Sequence, residues 1–277
     1  MSMSTRFNFT DMRHGTSLLK RGFAKMQEGA VICGTGMSEL TNDFRKKPDS
    51  NVSELRIQSK WGEVPIFVIE KNEHSFFILD RHHPKFDNRT PPHMIEHRAN
   101  VFAISSCNPD IILSVNSVGT MREDFPPGQI GISKDVIDLT QIPWTFYDDD
   151  VYHSDRTNIF DSEAMECCYN TLFSLQKNVI KNLIIAQCVG PQFETPSEID
   201  ILVKLGADVV GMTLGPEQRL ISEINIPHVA LACSSNWAAG RTPGAPNAEI
   251  DHEEVDSMAT SMRGKIINCI DALTKLF

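Results

Sequence analysis

The stretch DIILSVNSVGT at residues 110–120 decides the fold class. Its first part, residues 110–116, is an almost unbroken apolar run of strand length, and the Ser-Val-Gly-Thr that follows is typical of a turn. Strands that are apolar on both faces are typical of a parallel sheet with helices on either side. Similar apolar runs predict further strands at residues 30–33, 182–188, 208–212 and 230–234.

Helical patterns lie between these runs. Residues 92–106 begin at the second of two prolines and carry apolar side chains on one face. Residues 195–205 open with a threonine cap, a proline and a glutamate. Further helices are predicted at residues 162–176 and 249–276, and further strands at 64–70, 75–79 (after a turn at 71–74) and 128–139. The pattern predicts an N-terminal segment at residues 1–28, followed at residues 29–277 by a single α/β domain. Its sheet is expected to be mixed, mostly parallel and twisted, and flanked by helices.

Composition narrows the class of protein. A chain of 277 residues that is 41% hydrophobic can bury a full core, and its net charge of −10 argues against a surface for nucleic acid or an anionic membrane. The seven cysteines include no CxxC pair, which is typical of reduced thiols in a cytoplasm. No signal peptide is recognisable, and no run of about 18 apolar residues occurs, so we expect a cytoplasmic protein that spans no membrane.

Polar clusters directly follow two of the strands, at the position where open α/β sheets bind ligands. The glycines of GTG at residues 34–36 allow backbone amides to approach an anion, although the same motif also occurs in tight turns. The third glycine of a dinucleotide fingerprint is missing. In DRHH at residues 80–83, Arg81 offers a bidentate fork to a phosphate and His82 a second donor. A metal site shared with His93 and His97, or a solvated loop, are the alternatives there.

Two further clusters carry groups that suit a purine. GPQFET at residues 190–195 places Phe193 and Glu194 at a helix entrance. A phenyl face stacks on a purine, and a carboxylate accepts hydrogen bonds from the N–H groups of a 6-oxopurine. Alternatively, Glu194 serves the nearby helix N-terminus electrostatically. In SSNWAAG at residues 234–240, the amide of Asn236 both donates and accepts, or else forms a turn.

Taken together, the sequence resembles the family of trimeric purine nucleoside phosphorylases and methylthioadenosine phosphorylases. The matching segments follow the family's order from about residue 29 to residue 255. They are GTG (34–36), DRH (80–82), PPHMIEHRANV (91–101), NSVGTM (116–121), PPGQI (126–130), GPQFETPSEI (190–199), GADVVGMT (206–213) and SNWAAG (235–240). The family's RHG reads RHH here, the loop at residues 83–90 is longer, and residues 1–28 match nothing in the family. These departures concern the cover over the phosphate and a subunit contact.

The resemblance implies a role for each matching position. The implied phosphate cradle consists of Thr35, Arg81, His82, Ser117 and Thr213. The implied nucleoside pocket consists of Phe193, Glu194, Val210, Met212 and Asn236, with Met212 under the ribose. Glu194 and Asn236 are implied to bind the base and, with His82, to be catalytic. We expect that replacing Arg81 by alanine weakens phosphate binding and leaves the protein folded.

The resemblance also implies an activity, which is the phosphorolysis of purine nucleosides to the free base and ribose 1-phosphate in purine salvage. It implies a homotrimer, and it implies inorganic phosphate as co-substrate with neither a metal nor an organic cofactor. Methylthioadenosine enzymes usually carry an aspartate where this chain has Asn236, so the chain favours 6-oxopurines such as inosine or guanosine. The segment at residues 251–255 resembles the HEEV segment whose histidine contacts a 5′-hydroxyl, which makes His252 either that contact or a solvated helix residue.

Other functions remain open at this point. The NxAAG form at residues 236–240 also resembles enzymes that cleave methylthioinosine. A 5′-methylthioadenosine or 5′-methylthioinosine phosphorylase is therefore the first alternative. A dinucleotide-binding oxidoreductase and a non-catalytic nucleoside-binding homologue are the alternatives from other classes.

Overall fold

The computed structural model describes residues 27–37, 39–71, 74–84 and 88–276, and within them nine strands and seven α-helices. The strands are β1 (Gln27–Cys33), β2 (Ser50–Ser59), β3 (Gly62–Lys71), β4 (His74–Asp80), β5 (Ile111–Thr120), β6 (Ile130–Asp138), β7 (Leu183–Gln187), β8 (Val209–Gly211) and β9 (His228–Trp237). The helices are α1 (Leu40–Arg45), α2 (His97–Ser106), α3 (Ser162–Phe173), α4 (Pro196–Lys204), α5 (Leu214–Ile224), α6 (His252–Ser261) and α7 (Arg263–Leu273). Most of the predicted N-terminal segment at residues 1–28, and the middle of the predicted turn at 71–74, lie outside the described residues.

All the described strands belong to one sheet, in the order β2-β3-β4-β1-β5-β8-β7-β6-β9, and β5 also pairs with β9. The strands β5, β8, β7, β6 and β9 therefore close into a ring, from which β1, β4, β3 and β2 extend. Five pairs of strands are parallel, namely β1–β4, β1–β5, β5–β9, β6–β7 and β7–β8. The predicted α/β class with a mixed, mostly parallel sheet flanked by helices is confirmed, and the ring closure adds to it.

Helices cover both faces of the sheet. Successive residues of β1 show this, because Val31 packs with α1, α3 and α7, whereas Ile32 packs with α2 and α5. Strand β5 lies between the two layers and is buried along almost its whole length, as its apolar sequence predicts. No helix in the described part of the chain is long and apolar enough to cross a bilayer.

Strand β5 also differs most from its prediction. Residues 117–120, predicted as a turn, continue the strand because their parallel pairing with β9 extends to Thr120 opposite Trp237. The pairing passes through a register shift between Val118 and Gly119, and such irregularities are common near functional sites. As a result, Ser117 and Asn236 lie on neighbouring strands and not on loops.

Two predicted helices also change. The helix predicted at residues 92–106 begins as α2 at His97, because Ile95 is extended after a short 3-10 turn at Pro92–Met94. The long helix predicted at residues 249–276 is divided into α6 and α7, which meet at Met262. Strand β2 and helices α1 and α5 were not predicted at all.

Candidate active site

One cavity of about 530 Å³ lies where β1, β4 and β8 end and where β5 and β9 run side by side, a size typical of small-molecule sites. All eleven residues that the sequence predicted for the site line this cavity. They are Thr35, Arg81, His82, Ser117, Phe193, Glu194, Val210, Met212, Thr213, Asn236 and His252. The structure thus brings every predicted site residue into one space, while the role of each stays a prediction.

We call the part of the cavity at Thr35, Arg81 and His82 the anion end. Gly34 allows the Arg81 guanidinium and the His82 imidazole to come close together there. A Cβ atom on Gly34 would lie 2.6 Å from Arg81 Nη1 and 3.3 Å from His82 Nε2. The first distance is shorter than any normal contact, so a side chain here would displace the guanidinium. The glycine is therefore required for the close approach of the Arg81 guanidinium to the backbone at this position.

The guanidinium of Arg81 bonds mainly to groups of the protein itself. Its Nε and Nη2 donate to the two carboxylate oxygens of Glu217 at 2.6 and 3.1 Å, and both side chains are almost fully buried. Nη1 donates to the Val115 carbonyl at 2.8 Å, and Nη2 also approaches the Ile32 carbonyl at 3.3 Å. A guanidinium has five N–H groups, so these bonds leave one Nη1 hydrogen for a ligand. The bidentate grip predicted for phosphate is made on Glu217.

His82 is held in one tautomer. Its Nδ1 lies 2.8 Å from the Thr90 carbonyl oxygen, which only accepts, so Nδ1 carries the proton and Nε2 of the neutral ring has the lone pair. Burial lowers the pKa of His82 to about 4, which keeps the ring neutral near pH 7. Nε2 therefore accepts a hydrogen bond, for example from a protonated phosphate oxygen. The sequence had predicted a donor.

Thr213 links the anion end to a helix that the sequence analysis missed. It occupies the N-cap position of α5, and its hydroxyl donates to Asn116 Oδ1 at 3.4 Å. Because Thr213 lines the cavity, the N-terminus of α5 lies at the cavity wall. The partial positive charge of a helix N-terminus stabilises a nearby anion.

A chain of side-chain hydrogen bonds orients Asn236. Ser117 Oγ donates to Ser235 Oγ at 2.7 Å, and Ser235 Oγ in turn donates to Asn236 Oδ1 at 3.0 Å. Asn236 Nδ2 donates to the Trp237 carbonyl at 2.8 Å and lies 3.2 Å from the position of a Cβ on Gly119. Since Oδ1 accepts from the serine, Asn236 offers the cavity a donor, the second hydrogen of Nδ2.

A second part of the cavity, which we call the base end, contains Phe193 and Glu194. Burial raises the pKa of Glu194, and the neighbouring thiol of Cys188 partly opposes this rise. Burial and the neighbouring carboxylate raise the pKa of Cys188 to about 12, so the thiol stays protonated. The side chain of Phe193 is 39% exposed, which leaves its ring available for stacking, and Val210 and Met212 supply apolar surface.

A third wall is formed at the start of α6 by Ile250, His252, Val255 and Asp256. His252 is exposed and is the first residue of the helix, directly after its N-cap Asp251. Asp256 extends from this wall to the anion end, where its Oδ1 accepts from the Gly36 N–H at 2.9 Å. This wall therefore combines an imidazole and a carboxylate with two apolar side chains.

Sequence reasoning missed several of these positions. Glu217 belongs to the unpredicted helix α5, although the buried face at Leu220, Ile221 and Ile224 has helical spacing. Asp256 directly follows the HEEV segment, and Arg89, which pairs with Asp80 at 2.9 Å, lies in the loop noted as unusual. As for the metal alternative, no group of three or more His, Cys, Asp or Glu side chains in the described ranges could hold a metal ion.

Comparison with known proteins identifies the family. The sequence profile of the Phosphorylase superfamily matches residues 28–275. The chain belongs to this superfamily. This phosphorylase is 32% identical over 248 residues to a probable S-methyl-5′-thioinosine phosphorylase of Methanopyrus kandleri, covering 89% of this chain and 91% of the relative. It is 31% identical over 226 residues to a probable 6-oxopurine nucleoside phosphorylase of Thermococcus kodakarensis, and the match covers 78% of this chain and 82% of that relative.

A solved structure agrees with the fold of this phosphorylase. Methylthioadenosine phosphorylase from Schistosoma mansoni in complex with adenine superposes with a TM-score of 0.79 at 19% identity, over 90% of this chain and 91% of that one. The predicted resemblance and the enzyme class, a nucleoside phosphorylase-type pentosyltransferase, are confirmed.

Proposed function

We propose that this phosphorylase cleaves the N-glycosidic bond of 6-oxopurine nucleosides, such as inosine and guanosine, with inorganic phosphate. The products are the free base and ribose or deoxyribose 1-phosphate. The observation that carries the proposal is the fixed amide of Asn236, whose Oδ1 accepts from Ser235 and whose Nδ2 offers a hydrogen to O6 or N7 of the base. The names of the relatives from Methanopyrus and Thermococcus, both of which denote 6-oxopurine substrates, support it.

The mechanism follows from the two ends of the cavity. As the glycosidic bond breaks, negative charge grows on the purine and positive charge on the sugar. The Nδ2 donor of Asn236 stabilises the purine, and one such preorganised donor contributes about 3–4 kcal/mol. HPO₄²⁻ at the anion end donates its O–H to His82 Nε2, and one of its free oxygens forms the bond to C1′. Because phosphate attacks C1′ directly, no covalent enzyme intermediate is required. The proton that the phosphate loses passes through solvent to the departing base.

A 5′-methylthio nucleoside is the second candidate substrate. The apolar side chains of Ile250 and Val255 on the third wall suit a methylthio group, whereas His252 suits a 5′-hydroxyl. The name of the Methanopyrus relative favours methylthioinosine. Both candidates share the 6-oxopurine base.

Product analysis tests the proposed function. The purified protein is incubated with inosine, guanosine, adenosine, methylthioinosine and methylthioadenosine, each with and without phosphate. We expect phosphate-dependent release of hypoxanthine or guanine, with little adenine. Release of no base from any of the five would favour the non-catalytic nucleoside-binding homologue.

Gly34→Ala should weaken phosphate binding, because the new Cβ would lie 2.6 Å from Arg81 Nη1. We expect the KM for phosphate to rise roughly tenfold or more, with the far-ultraviolet circular dichroism spectrum unchanged. Gly264→Ala is the matched control, since a Cβ on Gly264 would meet no atom within 4 Å. An unchanged KM for phosphate in Gly34→Ala would place the phosphate elsewhere.

We also infer a homotrimer that works in the cytoplasm in purine salvage, with phosphate as co-substrate and neither metal nor organic cofactor. The resemblance to the trimeric family supports these statements. Light scattering tests the homotrimer, because its mass should be three times the 31.0 kDa of one chain. Activity that survives exhaustive chelation tests the absence of a metal.

A further inference from the structure

The anion loop (residues 34–36) is attached to α6 across more than two hundred residues of sequence. Asp256 Oδ1 accepts from the Gly36 N–H at 2.9 Å, and Thr260 Oγ1 lies 3.4 Å from the Gly36 carbonyl. Gly36 has a φ of +73°, and a Cβ there would lie 2.5 Å from the Cβ of Ala259. The loop thus lies directly on the helix, which holds the Asp256 carboxylate beside the amide that follows Thr35.

The charges at this end are already matched. The charge of Arg81 is paired with Glu217 at 2.6 Å, and that of Arg89 is paired with Asp80 at 2.9 Å. His82 is neutral near pH 7, since its pKa is lowered to about 4. Because Glu217 and Asp80 already balance the two arginines, the carboxylate of Asp256, which lines this end, adds a negative charge without a paired cation among the described residues named here. The negative charge of Asp256 repels an anion bound at this end and thereby weakens its binding.

We propose that Asp256 is an internal anion that competes with phosphate for the Gly36 amide and thereby sets the phosphate affinity of this chain. Without phosphate, the carboxylate accepts the Gly36 N–H. When phosphate binds, a phosphate oxygen accepts that hydrogen bond, and the exposed Asp256 side chain turns toward solvent. The proposal rests on the proposed function, in which phosphate is the second substrate.

Direct titration with inorganic phosphate at constant ionic strength, without nucleoside, tests this competition. Asp256→Asn removes the charge and keeps an oxygen acceptor for the Gly36 N–H. We expect its dissociation constant for phosphate to fall about tenfold, and its KM for phosphate to fall in parallel. Glu254→Gln is the matched control, because it removes one carboxylate from the same helix outside the cavity, and its dissociation constant should equal that of the natural protein.

Asp256→Ala separates competition from a purely structural brace of the loop. Competition lowers the dissociation constant in Asp256→Ala as well, whereas a brace raises it because the acceptor is lost. A dissociation constant that is unchanged or raised in Asp256→Asn overturns the inference and leaves the proposed function intact. A natural protein that binds no phosphate overturns the proposed function together with the inference.

Discussion

Glu217→Gln should lower the free energy of unfolding by about 3–5 kcal/mol, since it leaves the guanidinium of Arg81 buried without a counter-charge. The side chains of Arg81 and Glu217 are 1% and 0% exposed and lie 2.6 Å apart. Glu217 also accepts from Ser114 Oγ at 3.2 Å, which in turn bonds the buried ring of His228. Urea denaturation followed by circular dichroism measures the loss.

Two comparisons make this result specific to the buried pair. Glu63→Gln breaks the exposed ion pair with Arg56 and should leave the urea midpoint unchanged. The double variant Arg81→Met, Glu217→Met should lose less free energy of unfolding than the single variants Arg81→Met and Glu217→Met lose together. The reason is that the double variant leaves no buried charge unpaired. A Glu217→Gln variant as stable as the natural protein would contradict this account. Arg81→Ala should be destabilised too, in contrast to the expectation from sequence that it stays folded.

The ligand-facing part of the site was the predictable part. Polar residues at strand ends made Thr35, Arg81, Glu194 and Asn236 candidates from their local sequence, and the resemblance to the family supplied the role predicted for each. Parallel pairing of β1 with β4 and β5 brings Thr35 and Arg81 together, as open α/β sheets predict. Glu194 follows β7, and β7 is parallel to β8, which runs antiparallel to β5, so this side of the site comes from the opposite strand direction.

The partners of these residues were not predictable. Glu217 is 136 residues from Arg81, and nothing in the local sequence of either residue indicates the other. The tautomer of His82 depends on the Thr90 carbonyl, a backbone group without a sequence signal. Ser117 was assigned to a turn because Ser-Val-Gly-Thr suits one, whereas pairing with β9 keeps these residues in a strand. Tertiary pairing outweighs local propensity in such cases.

The identity of residue 236 should decide which base is cleaved. With Asn236, we expect the kcat/KM for inosine to exceed that for adenosine, because the adenine edge presents a donor where O6 stood. Each buried polar group left unpaired costs about 1–3 kcal/mol. Asn236→Asp replaces Nδ2 by an oxygen that faces the Trp237 carbonyl at about the 2.8 Å of the present bond. The variant thus loses its donor and gains a repulsive contact.

We expect Asn236→Asp to lower the kcat/KM for inosine by about 10²–10³-fold, the effect of removing one preorganised donor. The rate on adenosine should rise relative to inosine, without full reversal, because Glu194 is retained. Asn178→Asp is the matched control, since its Nδ2 also donates to a backbone carbonyl, that of Asp124 at 2.9 Å, but on the surface. The measurement uses matched inosine and adenosine pairs with 5′-hydroxyl and 5′-methylthio sugars. If the natural enzyme cleaves the adenine member of each pair better, the amide of Asn236 does not select the base, and methylthioadenosine becomes the preferred substrate.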